Sequence, residues 1–215
     1  MAKPPNYILC IETANTVTSV AISKDGVCVI LKEIQEPNKA ADALHLLIEA
    51  ALNETALTFA NLHAVAISAG PGSYTGLRIA AAAAKGYCFA LNIPLIAIPT
   101  LQAMVHGIIE RYQQNDFDIY VPMIDARRME VFTSFYDNKL NCTNYFTSLI
   151  VDTQCNQLFD NSKKYILFGN GAEKTKAILS STKIIINTNY IPSALDLCKI
   201  AAIEFTGNRF QDIAY

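Results

Sequence analysis

Residues 64–91 read AVAISAGPGSYTGLRIAAAAAKGYCFAL and form the most informative stretch of the chain. The apolar run 64–69 predicts a buried strand, and the alanine-rich run 79–91 predicts a helix. The glycine loop between them, GPGSYTGLR at 70–78, predicts a tight turn that could bring backbone N–H groups close to an anionic ligand. Its glycines could instead only let strand, loop and helix pack closely, which needs no ligand. The loop lacks the lysine of a Walker loop and the spacing of a dinucleotide fingerprint, so neither class is supported.

The chain is rich in apolar residues, because 52% of its 215 residues are hydrophobic and only 17% are charged. That balance favours a protein whose apolar surface is partly covered by a partner. The net charge is −2 and no basic stripe is visible, which disfavours unaided binding of nucleic acid.

The cysteines and histidines form no metal-binding pattern. The six cysteines contain no CxxC pair, so reduced, buried thiols are favoured over disulfides or a metal. The three histidines lie far apart and form no HExxH motif. No apolar run reaches the roughly 18 residues of a membrane span, and the N-terminus lacks the hydrophobic region of a signal peptide. We therefore expect a cytoplasmic protein with no metal and no membrane partner.

Hydrophobic patterns predict the order of elements in the first half of the chain. Three paired strands, then helix, strand, helix and strand, is the order of a ribonuclease-H-like unit. The predicted bounds are strands 7–14, 18–24 and 27–34, helix 40–56, strand 64–69, helix 79–91 and strand 94–98, with a third helix at 101–114.

The second half opens in the same way but has a looser middle, which predicts two related subdomains, 1–112 and 113–215. No internal sequence repeat is strong enough to prove the relationship. The predicted elements are strands 119–124, 130–137 and 165–168, helix 172–180, strand 183–186 and helix 193–206.

Two predicted helices carry few charges for surface helices. Between residues 77 and 91 only Arg78 and Lys85 are charged, and since seven residues make about two turns, both point to the same side. Helix 40–56 is apolar beyond one core-facing stripe. Either the helix at 77–91 is buried between layers or its alanine face receives a helix of another chain, and we favour the second interpretation. The predicted partner interface comprises Ala43, Leu46, Ala50, Arg78, Ala82, Ala83 and Lys85.

Four motifs occur in a fixed order along the chain: ILCIETA at 8–14, GPGSYTGLR at 70–78, AKG at 84–86 and DARRMEV at 125–131. Together they resemble the TsaB family, also called YeaZ. The resemblance implies an α/β fold of the actin-like ATPase type, with two ribonuclease-H-like subdomains. This agrees with the strand order predicted above.

The resemblance also implies a function in tRNA modification. It implies a non-catalytic subunit that forms a heterodimer with TsaD through a helical interface and works with TsaE. That complex transfers a threonylcarbamoyl group to the adenosine beside the tRNA anticodon. Under this interpretation the chain meets tRNA only within the complex, and a homodimer through the same helices is possible when it is alone.

The chain departs from the catalytic relatives of that family at two places. Those relatives hold a metal through paired histidines at i and i+4 on the helix after the third strand, where this chain has Ala40 and Leu44. Actin-like ATPases usually place an aspartate at the end of the first strand, where this chain has Glu12 and no glycine hairpin after it. We therefore expect no catalytic residue and no cofactor.

Some residues could form either a ligand loop or only a structural turn. Asp125 could cap a strand-to-strand turn with solvated arginines after it, or those arginines could meet a carboxylate or phosphate of a partner or of tRNA. Gly169-Asn170-Gly171 could form an adenosine loop or an ordinary helix entry. The candidates are Glu12, Gly70, Gly72, Ser73, Thr75, Gly76, Asp125, Arg127 and Arg128.

Two functions of other classes remain as alternatives. One is a self-associating actin-like scaffold that forms a homodimer through the same helices. The other is an independent actin-like kinase or a peptidase. For a kinase only Asp125 is a plausible catalytic aspartate, and for a peptidase Ser73 has no evident histidine partner.

Overall fold

The computed structural model describes residues 5–36, 39–179 and 181–214, and these form two compact units. The first unit is built from the described parts of 1–103 and 192–215, and the second from those of 104–191. This division differs from the predicted boundary at 112/113. The reason is that the C-terminal residues pack on the sheet of the first unit, so they complete its core and not that of the second unit.

The first unit contains a five-stranded sheet in the order β3-β2-β1-β4-β5. β1, β2 and β3 are antiparallel neighbours, whereas β4 and β5 run parallel to β1. The strands are β1 (Tyr7–Glu12), β2 (Thr18–Lys24), β3 (Val27–Ile34), β4 (Leu62–Ser68) and β5 (Leu95–Ile98), and the helices are α1 (Ala40–Glu54) and α2 (Tyr74–Leu91). The next helix, α3 (Thr100–Glu110), includes residues assigned to both units.

The two faces of this sheet are covered by different parts of the chain, because successive side chains of a strand point to opposite faces. Val20 of β2 packs in the core with α1 and α2. Its neighbour Ser19 accepts a hydrogen bond at 2.8 Å from the N–H of Ala194, in a 3₁₀ helix at Ala194–Leu197. That 3₁₀ helix leads into α4 (Cys198–Thr206), so the last helix covers the face opposite α1.

The second unit contains a sheet in the order β11-β10-β6-β7-β8, with β9 paired to β7. Its first three strands are antiparallel and the next two are parallel to β6, as in the first unit. This repeated order confirms the prediction of two ribonuclease-H-like subdomains. The strands are β6 (Ile119–Asp125), β7 (Glu130–Tyr136), β8 (Cys142–Tyr145), β9 (Leu149–Ile150), β10 (Tyr165–Phe168) and β11 (Ile184–Asn187).

Several predicted helices have different bounds in the structure. The helix predicted at 172–180 is a 3₁₀ helix at Ala172–Thr175, where the Thr175 hydroxyl donates to the carbonyl of Ala172 at 2.7 Å; Ser180 lies outside the described residues. The helix predicted at 193–206 is divided into the 3₁₀ segment and α4. All six cysteines are free; four are buried as predicted, whereas Cys28 is half-buried and Cys142 is exposed. In the part of the chain that the structure describes, no helix combines the length and apolar character needed to cross a membrane.

Candidate functional site

The glycine loop packs directly against the turn that follows β1. The N–H of Ser73 donates to the carbonyl of Ala14 at 2.7 Å, and the Thr13 hydroxyl donates to the carbonyl of Gly76 at 2.8 Å. A Cβ atom on Gly76 would overlap the carbonyl oxygen of Thr13. A Cβ atom on Gly72 would lie 2.5 Å from the carbonyl oxygen of Ala14. Close backbone packing therefore requires both glycines without any ligand.

Other N–H groups of the loop are also hydrogen-bonded within the protein. The N–H of Gly70 donates to the Thr100 hydroxyl at 3.0 Å, and that of Gly76 donates to the Ser73 hydroxyl at 3.2 Å. Ser73 is thus the N-cap of α2, which explains why the helix begins at Tyr74, earlier than predicted. Thr75 is exposed in the first turn of this helix. The loop consequently serves to start α2 against β1.

Glu12 is buried at the end of β1 and is hydrogen-bonded within the first unit. Its carboxylate accepts the N–H of Ala14 at 2.5 Å and the hydroxyl of Ser68. Burial raises the pKa of Glu12 from its ordinary value of 4.5 to about 7; the two hydrogen bonds act in the opposite direction, and the nearby Asp196 adds to the increase. Both carboxylate oxygens therefore have protein partners, and the side chain holds the ends of β1 and β4 together.

The raised pKa of Glu12 predicts that the protein loses stability as the pH rises. The folded state binds the proton more tightly than the unfolded state, so the favourable contribution is complete below pH 4.5 and is lost towards pH 7 and above. A shift of this size corresponds to about 3 kcal/mol. We expect Glu12→Gln to show a smaller loss of unfolding free energy than wild type between pH 5 and pH 8, measured by urea denaturation. The exposed Glu49→Gln is the control and should keep the wild-type slope. An unchanged slope in Glu12→Gln would contradict this account.

Asp125 organises the turn between β6 and β7. Its carboxylate accepts the N–H of Arg127 at 2.6 Å and the ammonium group of Lys174 at 2.7 Å. Partial burial acts to raise the pKa of Asp125, but the hydrogen bonds from Lys174 and Arg127 outweigh it and hold that pKa below its ordinary value. Asp125 is thus an ionised turn cap, while Arg127 and Arg128 are exposed.

The Gly169-Asn170-Gly171 segment packs on the backbone of β6. The N–H of Gly171 donates to the carbonyl of Met123 at 3.0 Å, and the side chain of Asn170 accepts the N–H of Asp125 at 2.9 Å. A Cβ atom on Gly169 would lie 2.5 Å from the same Met123 oxygen. The segment is therefore a loop that leads into the 3₁₀ helix, and its close packing on β6 explains why it contains glycines.

Helix α2 presents exposed apolar residues on the first unit, and α1 adds one, Leu46, which lies between the exposed Asp42 and Glu49. On α2, Ala82, Gly86 and Phe89 follow one another at spacings of four and three residues, so they share one side of the helix. The Phe89 side chain is 81% exposed, and a Cβ atom on Gly86 would meet only open space. On α1, Leu46 is 66% exposed. We call Leu46, Arg78, Ala82, Gly86 and Phe89 the α1/α2 face.

The structure places the predicted interface residues in different environments. Leu46, Arg78 and Ala82 are exposed, and the Arg78 guanidinium lies 4.1 Å from the ring centre of Tyr74. Ala43 is buried, and Ala83 is half-buried and packs against the core. Ala50 and Lys85 are half-buried.

Gly86 and Phe89 were not among the predicted interface residues. Their helical spacing from Ala82 was the signal that could have identified them. Among residues 5–36, 39–179 and 181–214, no group of three or more His, Cys, Asp or Glu side chains is arranged to hold a metal ion.

The fold matches those of solved structures over almost the whole chain. The chain superimposes on YeaZ from Pseudomonas aeruginosa with a TM-score of 0.83, at 21% identity over 97% of this chain and 96% of that one. It also resembles an activator of 2-hydroxyisocaproyl-CoA dehydratase from Clostridium difficile, with a TM-score of 0.52 at 11% identity, covering 96% and 98% of the two chains. These likenesses define the class as an α/β protein of the actin-like ATPase fold.

The particular family follows from the sequence. A family model described as TsaD, tRNA N6-adenosine threonylcarbamoyltransferase, matches residues 37–213. The tRNA threonylcarbamoyladenosine biosynthesis protein TsaB of Buchnera aphidicola is 30% identical over 93% of this chain and 90% of its own length. TsaB of Escherichia coli is 30% identical over 62% of this chain and 56% of its own length. The chain belongs to the TsaB family, which confirms the resemblance seen in the motifs.

Proposed function

We propose that this chain is a non-catalytic subunit in the biosynthesis of threonylcarbamoyladenosine in tRNA, and that it acts by binding a TsaD catalytic subunit. The observation that carries the proposal is the α1/α2 face. It is an exposed apolar helix surface on a member of a family whose relatives are biosynthesis proteins for this nucleoside.

The shape of the α1/α2 face supports packing against a helix of another chain. Ala82 and Gly86 carry almost no side chain, so a second helix can approach α2 closely. The large apolar side chains of Leu46 and Phe89 are exposed and would gain free energy from burial, at roughly 25 cal/mol per Å² of apolar area. The same face can also pair two copies of this chain, so we expect a homodimer that TsaD displaces.

The interior of the first unit supports a non-catalytic role. Glu12 is held by Ser68 and Ala14, and the glycine loop is held by Thr13 and Thr100. The Glu12 carboxylate and the glycine loop, which a nucleotide would have to contact, are thus already engaged in contacts within the protein. The net charge of −2 supports contact with tRNA only within the complex, in which TsaD and TsaE are the other protein members, and such a complex would work in the cytoplasm.

The test is a reconstituted modification reaction with tRNA, threonylcarbamoyl-AMP, ATP, TsaD and TsaE, with and without this chain. We expect modification to require the chain, and we expect the chain alone to give no product. The readout is the modified nucleoside in digested tRNA, measured by mass spectrometry. Modification that proceeds equally well without the chain would overturn the proposal, and product formed by the chain alone would overturn its non-catalytic part.

A further inference from the structure

An exposed hairpin tip in the second unit has features that its role in the fold does not explain. The tip contains Arg127, Arg128 and Met129, and β9 lies beside it because the N–H of Val151 donates to the carbonyl of Met129 at 2.6 Å. Met129 is 45% exposed and Ile150 of β9 is 65% exposed. We call Arg127, Arg128, Met129 and Ile150 the arginine hairpin.

The backbone of the arginine hairpin is unfavourable for the residues it carries. Arg127 has φ of 72° and Arg128 has φ of 46°, and both angles lie in the left-handed region. Asparagine or glycine is the usual occupant of two such positions in a hairpin. The hydrogen bond from the N–H of Arg127 to Asp125 holds this conformation. The turn therefore presents two long cationic side chains where smaller residues would fit with less strain, which is typical of a functional site.

The charges of the arginine hairpin are not neutralised by the turn itself. Among the described residues, neither guanidinium forms an ion pair with a carboxylate. Asp125 is paired with Lys174. Asp152 accepts only a backbone N–H, that of Gln154 at 2.9 Å, and Glu130 lies opposite Ile150 in the β7–β9 pair, so both of these carboxylates keep their charge. Neither of them pairs with an arginine, which leaves both guanidinium groups available to the carboxylates of a ligand.

The combination of residue types favours a protein ligand. Arginine and methionine are enriched in protein interfaces, where guanidinium groups pair with carboxylates in two-pronged geometry. A surface for single-stranded RNA would be expected to add aromatic side chains for stacking, and the arginine hairpin has none. Met129 and Ile150 instead favour a ligand that carries an aliphatic side chain between acidic ones.

We propose that the arginine hairpin binds an acidic segment of a partner protein. Carboxylates of that segment pair with Arg127 and Arg128, and an apolar side chain of the segment packs on Met129 and Ile150. This surface is separate from the α1/α2 face and its existence does not depend on the proposed function. The two proposals can therefore fail independently.

The experiment follows amide chemical shifts of the full chain by NMR while a short synthetic peptide of Asp, Glu and Leu is added. We expect shifts at residues 126–130 and 149–151, and about tenfold weaker binding for the double variant Arg127→Glu/Arg128→Glu. Met129→Ser, which leaves the charges unchanged, should also weaken binding. A peptide with Ser in place of Leu should bind less tightly than the original.

The matched control is Lys139→Glu/Lys163→Glu, which reverses two exposed charges elsewhere in the same unit and should bind the peptide as wild type does. Three outcomes would overturn the proposal. The peptide shifts could fall outside the arginine hairpin, the control could lose as much binding as the arginine variant, or an RNA oligonucleotide could bind the hairpin in place of the peptide.

Discussion

Ala82→Glu is expected to weaken association with TsaD at least about 100-fold, because the variant would place a long, charged side chain on the α1/α2 face where a second helix has to approach α2 closely. Ala82 is exposed, so the isolated chain should keep its unfolding free energy within about 0.5 kcal/mol. Association is measured by titration calorimetry and unfolding by urea denaturation. The homodimer, if it uses the same face, should be lost in parallel.

Two matched variants make the Ala82 experiment specific. Ala82→Ser keeps the face flat and should bind nearly as wild type, whereas Ala214→Glu adds the same charge at an exposed alanine outside α1 and α2 and should leave binding unchanged. Ala83→Glu is unsuitable for this purpose because Ala83 packs against the core and its loss would disturb folding. Wild-type affinity in Ala82→Glu would remove the α1/α2 face from the proposed function.

Gly76→Ala is expected to destabilise the protein by about 3 kcal/mol or more. The added methyl group would overlap the carbonyl oxygen of Thr13, and this oxygen belongs to a backbone that cannot easily move, because the Thr13 hydroxyl is hydrogen-bonded to Gly76. The measurement is the midpoint and slope of urea unfolding, with helix content as the signal.

Gly86→Ala is the matched control for Gly76→Ala, since both substitutions add one methyl group to the same helix. The new Cβ at Gly86 would meet only open space, and alanine stabilises a helix interior by about 0.5–1 kcal/mol relative to glycine. The two variants should therefore change stability in opposite directions. Equal effects of the two substitutions would mean that the glycine loop does not pack on the turn after β1.

The order of the strands was predictable because their residues carry a clear signal. β2 and β3 have the predicted bounds, since a Lys24-Asp25-Gly26 turn separates two runs of β-forming residues. By contrast, all four residues of β8 are exposed and show no apolar alternation, so nothing in Cys142–Tyr145 marked a strand. Burial leaves a pattern in the sequence, whereas an exposed edge strand is formed by backbone hydrogen bonds that any residue can make.

The role of the glycine loop could not be decided from its own residues. Its glycines fit both a ligand cradle and close packing, and the choice between them depends on Thr13 and Ala14, which are distant in the sequence. The same limit applies to the helix surfaces. Leu46 is exposed on α1, whereas Ala43, which was predicted for the same interface, is buried together with Leu44 and Ile48. Alanine occurs on both the buried and the exposed sides of helices, so its positions indicate little about which side of a helix faces the core.

The first unit is discontinuous in the chain, and this has a consequence during synthesis on the ribosome. The hydrogen bond from the N–H of Ala194 to Ser19 joins residues that are 175 positions apart in the chain. When residue 103 has been made, one face of the first sheet still lacks the 3₁₀ helix and α4 that later cover it. The second unit, which is contiguous, can complete its sheet before the first unit does. An N-terminal fragment ending at residue 103 should therefore be prone to aggregation, and a minimal first unit needs residues 192–214 joined to it by a linker.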